Sequence, residues 1–323
     1  MKKILITGGC GFVGRHLTKR LSLDPNNQIT IIDDLSTGLR LEHWPEHLKC
    51  KINDIRYQDC IEYFQTENKQ FDVIFHLAAI VGGRLIIENN PLVVAKDLSI
   101  DAEMFNWSVQ TKPGKIVYFS SSAIYPLSKQ TKENGVPLSE YLIDIQNQKI
   151  DMPDMSYGWS KLTGEFLADL AVKKHGLNVV IYRPFSGYGE DQDMTYPFPS
   201  IINRVINHEN PIDVWGDGTQ NRDFIYIEDC IDGILLTYEK INDATPLNLG
   251  TGISTSFNEL IERACKINSI ECNINHLLDK PVGVHTRYAN VQKSISYNLI
   301  PKTTLDDGIR IVSKYLYEIK KSI

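Results

Sequence analysis

The sequence predicts an α/β protein in which helices cover both faces of a parallel sheet. Short β-branched segments alternate with helical patterns through about residue 183 of the 323 residues, an order typical of parallel strands joined by crossover helices. Buried strands are predicted at residues 3–7, 28–33, 73–77, 115–120 and 178–182, and helices at residues 12–23, 91–110 and 157–174. Beyond residue 183 the predicted strands and helices are irregularly spaced, with several prolines and a Gly216-Asp217-Gly218 turn between them. These features predict a doubly wound parallel sheet over residues 1–183 and a smaller carboxyl-terminal α/β lobe over residues 184–323.

The composition is that of an ordinary globular protein. Hydrophobic residues make up 42% and charged residues 23% of the chain, which excludes a disordered chain, a collagen-like repeat and a small disulfide-rich protein. The formal net charge of −6 argues against nucleic acid or an anionic membrane surface as the main partner. A small anionic ligand held by a few arginines is compatible with that charge.

The expected compartment is the cytoplasm. The amino-terminal residues predict a strand and not a signal peptide, because their short apolar run leads directly into glycines. The most apolar stretch, residues 71–87, contains Asp72, His76 and Arg84 and is therefore not a membrane span. Six scattered cysteines form no Cys-x-x-Cys pair, so reduced thiols are expected, with no metal site and no disulfide framework.

A glycine-rich turn follows the first predicted strand and opens the first helix. Gly8, Gly11 and Gly14 recur at intervals of three residues, and such glycines let the backbone approach a pyrophosphate and pack the helix on the sheet. Asp33 ends the second predicted strand, 22 residues after Gly11. A carboxylate at this position binds the adenosine ribose hydroxyls of NAD and repels the 2′-phosphate of NADP. The pattern predicts NAD as the cofactor; a glycine turn with a capping Asp33 is the alternative.

A tyrosine and a lysine four residues apart suggest acid–base chemistry. Tyr157 and Lys161 share one face of a predicted helix. The lysine ammonium is expected to lower the pKa of Tyr157 from about 10 toward physiological pH, so that the phenolate takes a proton from a substrate hydroxyl while a hydride moves to nicotinamide. Ser121 lies in a serine triplet at a predicted strand end, where open α/β sheets bind ligands. The alternatives are a surface helix and a capped strand end.

The order of these motifs resembles that of the nucleotide-sugar epimerase/dehydratase family, a branch of the extended short-chain dehydrogenases/reductases. The resemblance continues through residues 76–79, Arg183-Pro184, residues 216–224, residues 248–252 and Arg287, and so covers nearly the whole chain. It implies a Rossmann domain to which a segment near residues 222–250 returns, a nucleotide-sugar-binding lobe and tightly bound NAD. It also implies a homodimer formed through a four-helix bundle of the helices near residues 92–110 and 157–174.

The resemblance further implies roles for individual residues. Tyr157 is expected to be the general base, Lys161 to hold the nicotinamide ribose, and Ser121 to bind the substrate hydroxyl. The implied cofactor contacts are Gly8, Gly11, Phe12, Val13, Asp33, Asp34, Asp54, Ile55, Leu77, Ala78, Ala79, Tyr157, Lys161 and Pro184. The implied substrate contacts are Val81, Gly82, Gly83, Ser122, Ser186, Tyr196, Trp215, Arg222 and Arg287, with the two arginines on the diphosphate.

Several positions depart from the family pattern. Ser122-Ala123 stand where the dehydratases carry an Asp-Glu or Asp-Gln pair, so dehydration is disfavoured. Ala123 and Tyr196 stand where GDP-sugar epimerising enzymes carry Cys and His, although residues 78–83, residues 123–126 and Trp215-Gly216 resemble those enzymes. Ser186 and the Asp97-Leu98 segment replace two usual asparagines. The groups needed for oxidation or reduction at C4 of the sugar remain.

The sequence therefore predicts an NAD-dependent oxidoreductase that acts on C4 of a GDP-linked sugar. The motifs resemble most a GDP-D-glycero-D-manno-heptose 4-dehydrogenase of bacterial surface-polysaccharide (capsule) biosynthesis. A nucleotide-sugar 4-epimerase is the alternative within the family. A non-catalytic NAD(H)-binding regulator of a sugar pathway is the alternative from another class, and the complete Ser121, Tyr157 and Lys161 set disfavours it.

Overall fold

A computed structural model describes residues 1–81, 88–145, 147 and 150–322. The strands are β1 (Lys2–Thr7), β2 (Asn27–Ile32), β3 (Asp54–Arg56), β4 (Val73–His76), β5 (Lys115–Phe119), β6 (Val179–Pro184), β7 (Ser186–Tyr188), β8 (Ile212–Trp215), β9 (Asn221–Arg222), β10 (Phe224–Tyr226), β11 (Asp243–Leu249), β12 (Thr255–Ser256), β13 (Ile274–Leu277) and β14 (Thr286–Arg287). The helices are α1 (Phe12–Leu21), α2 (Cys60–Thr66), α3 (Pro91–Val94), α4 (Asp97–Thr111), α5 (Met155–His175), α6 (Pro197–Ile206), α7 (Ile227–Thr237), α8 (Phe257–Asn268), α9 (Gln292–Ser296) and α10 (Leu305–Ser322). Short 3-10 turns occupy Leu41–His43, Glu46–Leu48, Ser122–Ile124, Leu127–Lys129 and Glu140–Leu142. Among the helices so described, none has both the length and the apolar character needed to cross a bilayer.

A seven-stranded parallel sheet forms the centre of the molecule. Its strand order is β11-β6-β5-β4-β1-β2-β3, and each neighbouring pair runs parallel. The predicted Rossmann-type sheet is therefore confirmed, with strand ends within two residues of those predicted. The order of strands reverses direction at β1, which pairs with β2 on one side and β4 on the other. A crevice at the carboxyl ends of β1 and β4 is where such sheets bind their ligands.

Alternate side chains of each central strand enter two separate cores. In β1, Ile4 and Ile6 pack with α1 and α7 on one face, whereas Leu5 packs with α2, α4 and α5 on the other. This alternation follows from the two-residue repeat of a strand. Because both faces are covered, the strands are apolar almost throughout, which explains why their sequence pattern is continuous and not alternating.

Most of the remaining strands and helices build a third core. Tyr188, Phe198 and Phe224 stack against apolar residues of α6, α8 and α10. Small sheets β7–β10, β12–β9–β14 and β8–β13 surround this core. The chain passes between the main sheet and this core more than once. After α6 has contributed to the core, the chain returns and β11 pairs with β6 at the edge of the main sheet.

The helix predicted over residues 91–110 is two helices in the structure. Between α3 and α4 the backbone hydrogen bonds shorten to three residues, from Lys96 N–H to Val93 O and from Leu98 N–H to Ala95 O. A tighter turn of this kind rotates the helix face that follows it. It brings Asp97, the first residue of α4, into the protein interior, where its side chain is fully buried.

The expectation that all six cysteines are reduced is wrong for one pair. Cys265 near the end of α8 and Cys272 just before β13 form a disulfide. Ser269, in the left-handed conformation, reverses the chain directly after α8 and brings Cys272 back to the helix. The separation of seven residues in the sequence does not by itself show that the two cysteines are close. The cysteines at positions 10, 50, 60 and 230 are free. The described residues contain no cluster of three or more potential metal ligands.

Candidate active site

The glycine-rich turn closes tightly against the loop that follows β4. Gly8 adopts a φ of +68°, and a Cβ atom there would lie 2.8 Å from the amide nitrogen of Ala78. Gly11 precedes α1 in extended conformation, and no described side chain caps that helix. The free N–H groups of an uncapped helix start attract phosphate. The turn therefore fits the pyrophosphate of a dinucleotide, with Leu77, Ala78 and Ala79 beside it.

Asp33 lies next to this turn. Its carboxylate accepts hydrogen bonds from the N–H groups of Cys10, at 2.9 Å, and Leu35, at 2.8 Å. Burial raises the pKa of Asp33, and the two N–H donors oppose this rise. Asp34 is exposed, whereas Asp54 and Ile55 lie on β3 beside β2. The adenosine side of the predicted cofactor contacts thus lies along the edge β1–β2–β3, next to Phe12 and Val13 at the start of α1.

Ser121, Tyr157 and Lys161 come together at the carboxyl end of β5. The Tyr157 hydroxyl shares a hydrogen bond with Ser121, and Ser121 Oγ also accepts from the N–H of Ala123 at 3.1 Å. Lys161 lies one turn further along α5 and is almost fully buried. Burial raises the pKa of Tyr157 above its usual value, Lys161 lowers it, and Asp97 raises it again. Lys161 therefore acts on Tyr157 in the expected direction, but burial and the Asp97 carboxylate outweigh it, so the pKa of Tyr157 stays above its usual value.

Lys161 acts electrostatically on a buried hydrogen-bonded chain that the sequence patterns did not single out. Asp101 accepts from the Tyr118 hydroxyl and pairs with His76 Nε2 at 3.1 Å. Burial lowers the pKa of His76, so its ring is neutral; a ring that donates from Nε2 accepts at Nδ1 from the Thr7 hydroxyl, 2.8 Å away. Burial raises the pKa of Asp101, but Lys161 and His76 lower it below its usual value. Asp101 is therefore the ionised partner of Lys161.

A second buried cluster of charged side chains connects α1 to the turn after β7. Arg15 donates to the carbonyl oxygen of Cys10 and to Asp191. His16 lies between Asp191 Oδ1, at 2.8 Å, and Glu228 Oε1, at 2.7 Å. Charged residues at buried positions of α1 were the signal for this cluster, but their partners lie more than 170 residues away.

The His16 cluster makes stability depend on pH. Burial lowers the pKa of His16, but hydrogen bonds to Asp191 and Glu228 outweigh it and raise this pKa from 6.5 to about 9. A folded-state pKa above the unfolded value gives stability that is complete below pH 6.5 and is lost as pH rises through about 9. We expect a loss of roughly 3 kcal/mol at most, measured by urea denaturation at both ends of this range. A His16→Gln variant should lack this loss; an identical pH dependence in both proteins would contradict the assignment.

The two arginines of the predicted substrate site are direct cross-strand neighbours. Arg222 on β9 pairs in register with Arg287 on β14. Arg287 donates to Asp154 at 2.7 Å and to Gln130 at 2.6 Å, and the Arg222 guanidinium lies 5.6 Å from the Phe257 ring centre. Like charges opposite each other are unfavourable in a sheet, and the Asp154 carboxylate offsets part of that cost at Arg287. Guanidinium groups also form charge-assisted, often bidentate hydrogen bonds with phosphate, which makes this pair a candidate diphosphate site.

The other predicted site residues are more scattered. Ser122 is buried and Ser186 half-buried on β7. Tyr196 precedes α6, where burial and then the nearby Tyr157 raise its pKa to about 12. Trp215 ends β8 and is 37% exposed, and no described contact joins it to Tyr157. Pro184 ends β6 and Val81 is half-buried, while Gly82 and Gly83 lie outside the described residues.

Comparisons with known proteins agree with this arrangement. A family model described as the NAD dependent epimerase/dehydratase family matches residues 4–250. A putative UDP-glucose 4-epimerase from Methanocaldococcus jannaschii is 30% identical to this chain and covers 97% of it and 98% of its own length. A GDP-mannose 3,5-epimerase from Arabidopsis thaliana is 27% identical, covering 98% of this chain and 82% of its own.

Solved structures are also similar over almost the whole chain, and one of them illustrates this. It is a UDP-glucuronic acid 4-epimerase from Bacillus cereus, in complex with UDP-glucuronic acid and NAD. The sequence identity is 26%, the TM-score is 0.81, and the match covers 98% of this chain and 99% of the other. Similarity of this extent includes the third core as well as the sheet and the cores on its two faces.

Proposed function

Because the chain belongs to the NAD-dependent epimerase/dehydratase family, and is therefore an NAD-dependent enzyme of a family that acts on nucleotide sugars, we propose that it moves a hydride between C4 of a nucleotide-linked sugar and NAD. One observation carries this proposal. Ser121, Tyr157 and Lys161 lie together at the sheet edge, whereas Ser122 and Ala123 beside them offer no second acid or base. The site thus supports hydride exchange without dehydration. Family membership also favours an enzyme over a non-catalytic regulator.

The chain's own groups act on the proton of the C4 hydroxyl. NAD, when bound, supplies the acceptor for the hydride. Tyr157 takes the hydroxyl proton as C4 becomes a ketone, and the Ser121 hydroxyl orients the reacting oxygen. Lys161 favours the phenolate of Tyr157, and the Asp101 carboxylate favours the charged form of Lys161. The residues that would hold the dinucleotide are the turn from Gly8 to Val13, Asp33, and the loop after β4.

Arg222 and Arg287 recognise the diphosphate in this proposal. Their paired positions allow several charge-assisted hydrogen bonds to one dianion, which are stronger than neutral hydrogen bonds. The substrate class that the sequence motifs favour is a GDP-linked sugar, with GDP-D-glycero-D-manno-heptose as the specific candidate. The similarity to a GDP-mannose 3,5-epimerase supports a GDP sugar, while Ala123 and Tyr196 make 3,5-epimerisation an unsuitable reaction.

A 4-epimerase is the second candidate. It is favoured by the likeness to a putative UDP-glucose 4-epimerase and to a UDP-glucuronic acid 4-epimerase. Such an enzyme returns the hydride to the opposite face of the same sugar. The two candidates share the first step and differ in what happens to the hydride.

Sugars labelled with deuterium at C4 separate the two candidates. The purified protein is incubated with C4-deuterated GDP-D-glycero-D-manno-heptose, other GDP sugars, UDP-glucose and UDP-glucuronic acid, and products are identified by mass spectrometry and NMR. A C4 ketone with deuterium on the cofactor supports the 4-dehydrogenase. Deuterium retained at C4 of an inverted sugar identifies the 4-epimerase and overturns the dehydrogenase. Transfer from none of these sugars contradicts both.

The paired helices α4 and α5 support a homodimer as part of the proposal. Leu98, Trp159 and Phe166 are exposed to 39%, 43% and 44%, and the last two lie seven residues apart on one face of α5. Exposed aromatic residues on one face are typical of an interface. We expect sedimentation velocity to give a dimer for the wild type and a monomer for Phe166→Glu. Leu236→Glu, at a 42% exposed position of α7, is the matched control and should remain dimeric; a monomeric wild type would contradict the interface.

A further inference from the structure

Asp97 is a buried carboxylate with only part of its hydrogen-bonding capacity used. Its side chain is fully buried at the start of α4. One oxygen accepts the N–H of Ile80 at 2.6 Å. The other has no hydrogen-bond partner among the described residues. Desolvation of a carboxylate without such partners is costly, so the position calls for an explanation.

Among the residues that the structure describes, the charges around Asp97 do not balance. Lys161 and Tyr157 face it from α5, and Asp101 faces it from its own helix. Asp101 already serves Lys161 as an ionised partner. One ammonium thus lies between two carboxylates, and His76 and Tyr118, which contact Asp101, are both neutral groups. The second carboxylate is in excess, and its field reaches Tyr157.

A purely architectural role does not require this charge. Among the described residues, Asp97 accepts one side-chain hydrogen bond, from the Ile80 N–H, and the carbonyl oxygen of an asparagine accepts the same bond. An asparagine has nearly the same size and would remove the cost of the buried charge. Burial raises the pKa of Asp97 to about 6, with Lys161 opposing that rise, so the carboxylate is still largely ionised at neutral pH.

We propose that Asp97 is a positioning residue for the hydride-transfer reaction, whose negative charge sets the pH at which Tyr157 changes from proton donor to proton acceptor. The inference rests on the proposed function only in taking Tyr157 as the acid–base group. An ionised Asp97 holds the phenol proton on Tyr157. Loss of the Asp97 charge releases that proton at lower pH, because Lys161 then acts on Tyr157 with one carboxylate fewer to offset it.

The first measurement is the ionisation of Tyr157 itself, which needs no sugar. Phenolate absorbance is titrated in the wild type and in Asp97→Asn, each compared with its Tyr157→Phe counterpart at equal NAD content. We expect the Tyr157 transition to move to lower pH by about one unit in Asp97→Asn. Glu103→Gln is the matched control, because it removes the same charge from the same helix at a half-buried position beside Gln65. It should leave the Tyr157 titration unchanged.

The second measurement is the pH dependence of hydride transfer with whichever sugar is active. The rise of kcat/KM with pH should shift in Asp97→Asn by the same amount as the phenolate titration. If Asp97 is only structural, Asp97→Asn will match the wild type and only Asp97→Ala, which also loses the Ile80 bond, will differ. That result, or an Asp97→Asn protein that does not fold, overturns the proposal. Inactivity toward every sugar refutes the proposed function but leaves the phenolate titration to decide this inference.

Discussion

Replacing Tyr157 by phenylalanine is expected to slow hydride transfer about 1000-fold. The variant keeps the aromatic ring but lacks the hydroxyl that bonds Ser121, so no group at that position can take the C4 proton. Single-turnover reduction of bound NAD, followed by NADH absorbance, measures the chemical step directly. Binding of the nucleotide sugar, measured by calorimetry, should change little because the diphosphate is assigned to Arg222 and Arg287.

Tyr141→Phe is the control for this prediction. Tyr141 is 77% exposed, and its loss of a hydroxyl should leave the rate at the wild-type value. A Tyr157→Phe variant that retains more than about a tenth of the wild-type rate would remove Tyr157 from the role of general base, since general acid–base catalysis usually contributes at least about 100-fold.

Replacing Glu165 by alanine is expected to destabilise the protein by about 3–5 kcal/mol. Arg183 on β6 forms two hydrogen bonds with Glu165 of α5, at 2.9 and 2.7 Å, and both side chains are at most 2% exposed. Arg183 also donates to the Tyr125 hydroxyl and to the carbonyl oxygen of Glu140. Removing the carboxylate leaves a buried guanidinium without its counter-ion. The free energy of unfolding from urea denaturation tests this.

Two further variants serve as controls for the expected decrease in the free energy of unfolding. Glu259→Ala breaks the surface ion pair with Arg263, whose side chains are about two-fifths exposed, and should cost no more than about 1 kcal/mol. The double variant Glu165→Leu with Arg183→Met removes both charges, and should recover much of the lost stability because no unpaired ion remains. A loss below about 1 kcal/mol for Glu165→Ala would show that water reaches Arg183, contrary to its burial.

Features carried by short stretches of sequence could be predicted. The apolar strands, the glycine turn and the Tyr157–Lys161 spacing each depend on neighbouring residues. Their patterns can therefore be recognised in the sequence without any knowledge of the fold. The parallel sheet then follows from the alternation of strands and helices. The strand ends differ from those expected by only one or two residues, as is usual where hydrogen bonding fades at the end of an element.

Features that depend on distant contacts could not be predicted. The environment of Lys161 combines His76, Asp97 and Asp101 from β4 and α4, and only the packing of α4 on α5 brings them together. The net rise in the pKa of Tyr157 was not expected, because local spacing shows Lys161, which lowers this pKa, but neither the burial nor the Asp97 carboxylate, which raise it. The Cys265–Cys272 disulfide likewise depends on how the chain turns after α8.

The position of β11 has a consequence for how the chain reaches its fold. This strand covers the outer edge of β6, yet it follows β6 in the chain by about sixty residues. During synthesis the N–H and C=O groups along the outer edge of β6 stay unpaired until β11 has been made. Unpaired strand edges of this kind form hydrogen bonds with other chains and so promote aggregation. A chain ending at residue 183 would keep that edge open permanently. We expect aggregation of such a fragment, and slow, non-local closure of the sheet in the complete protein.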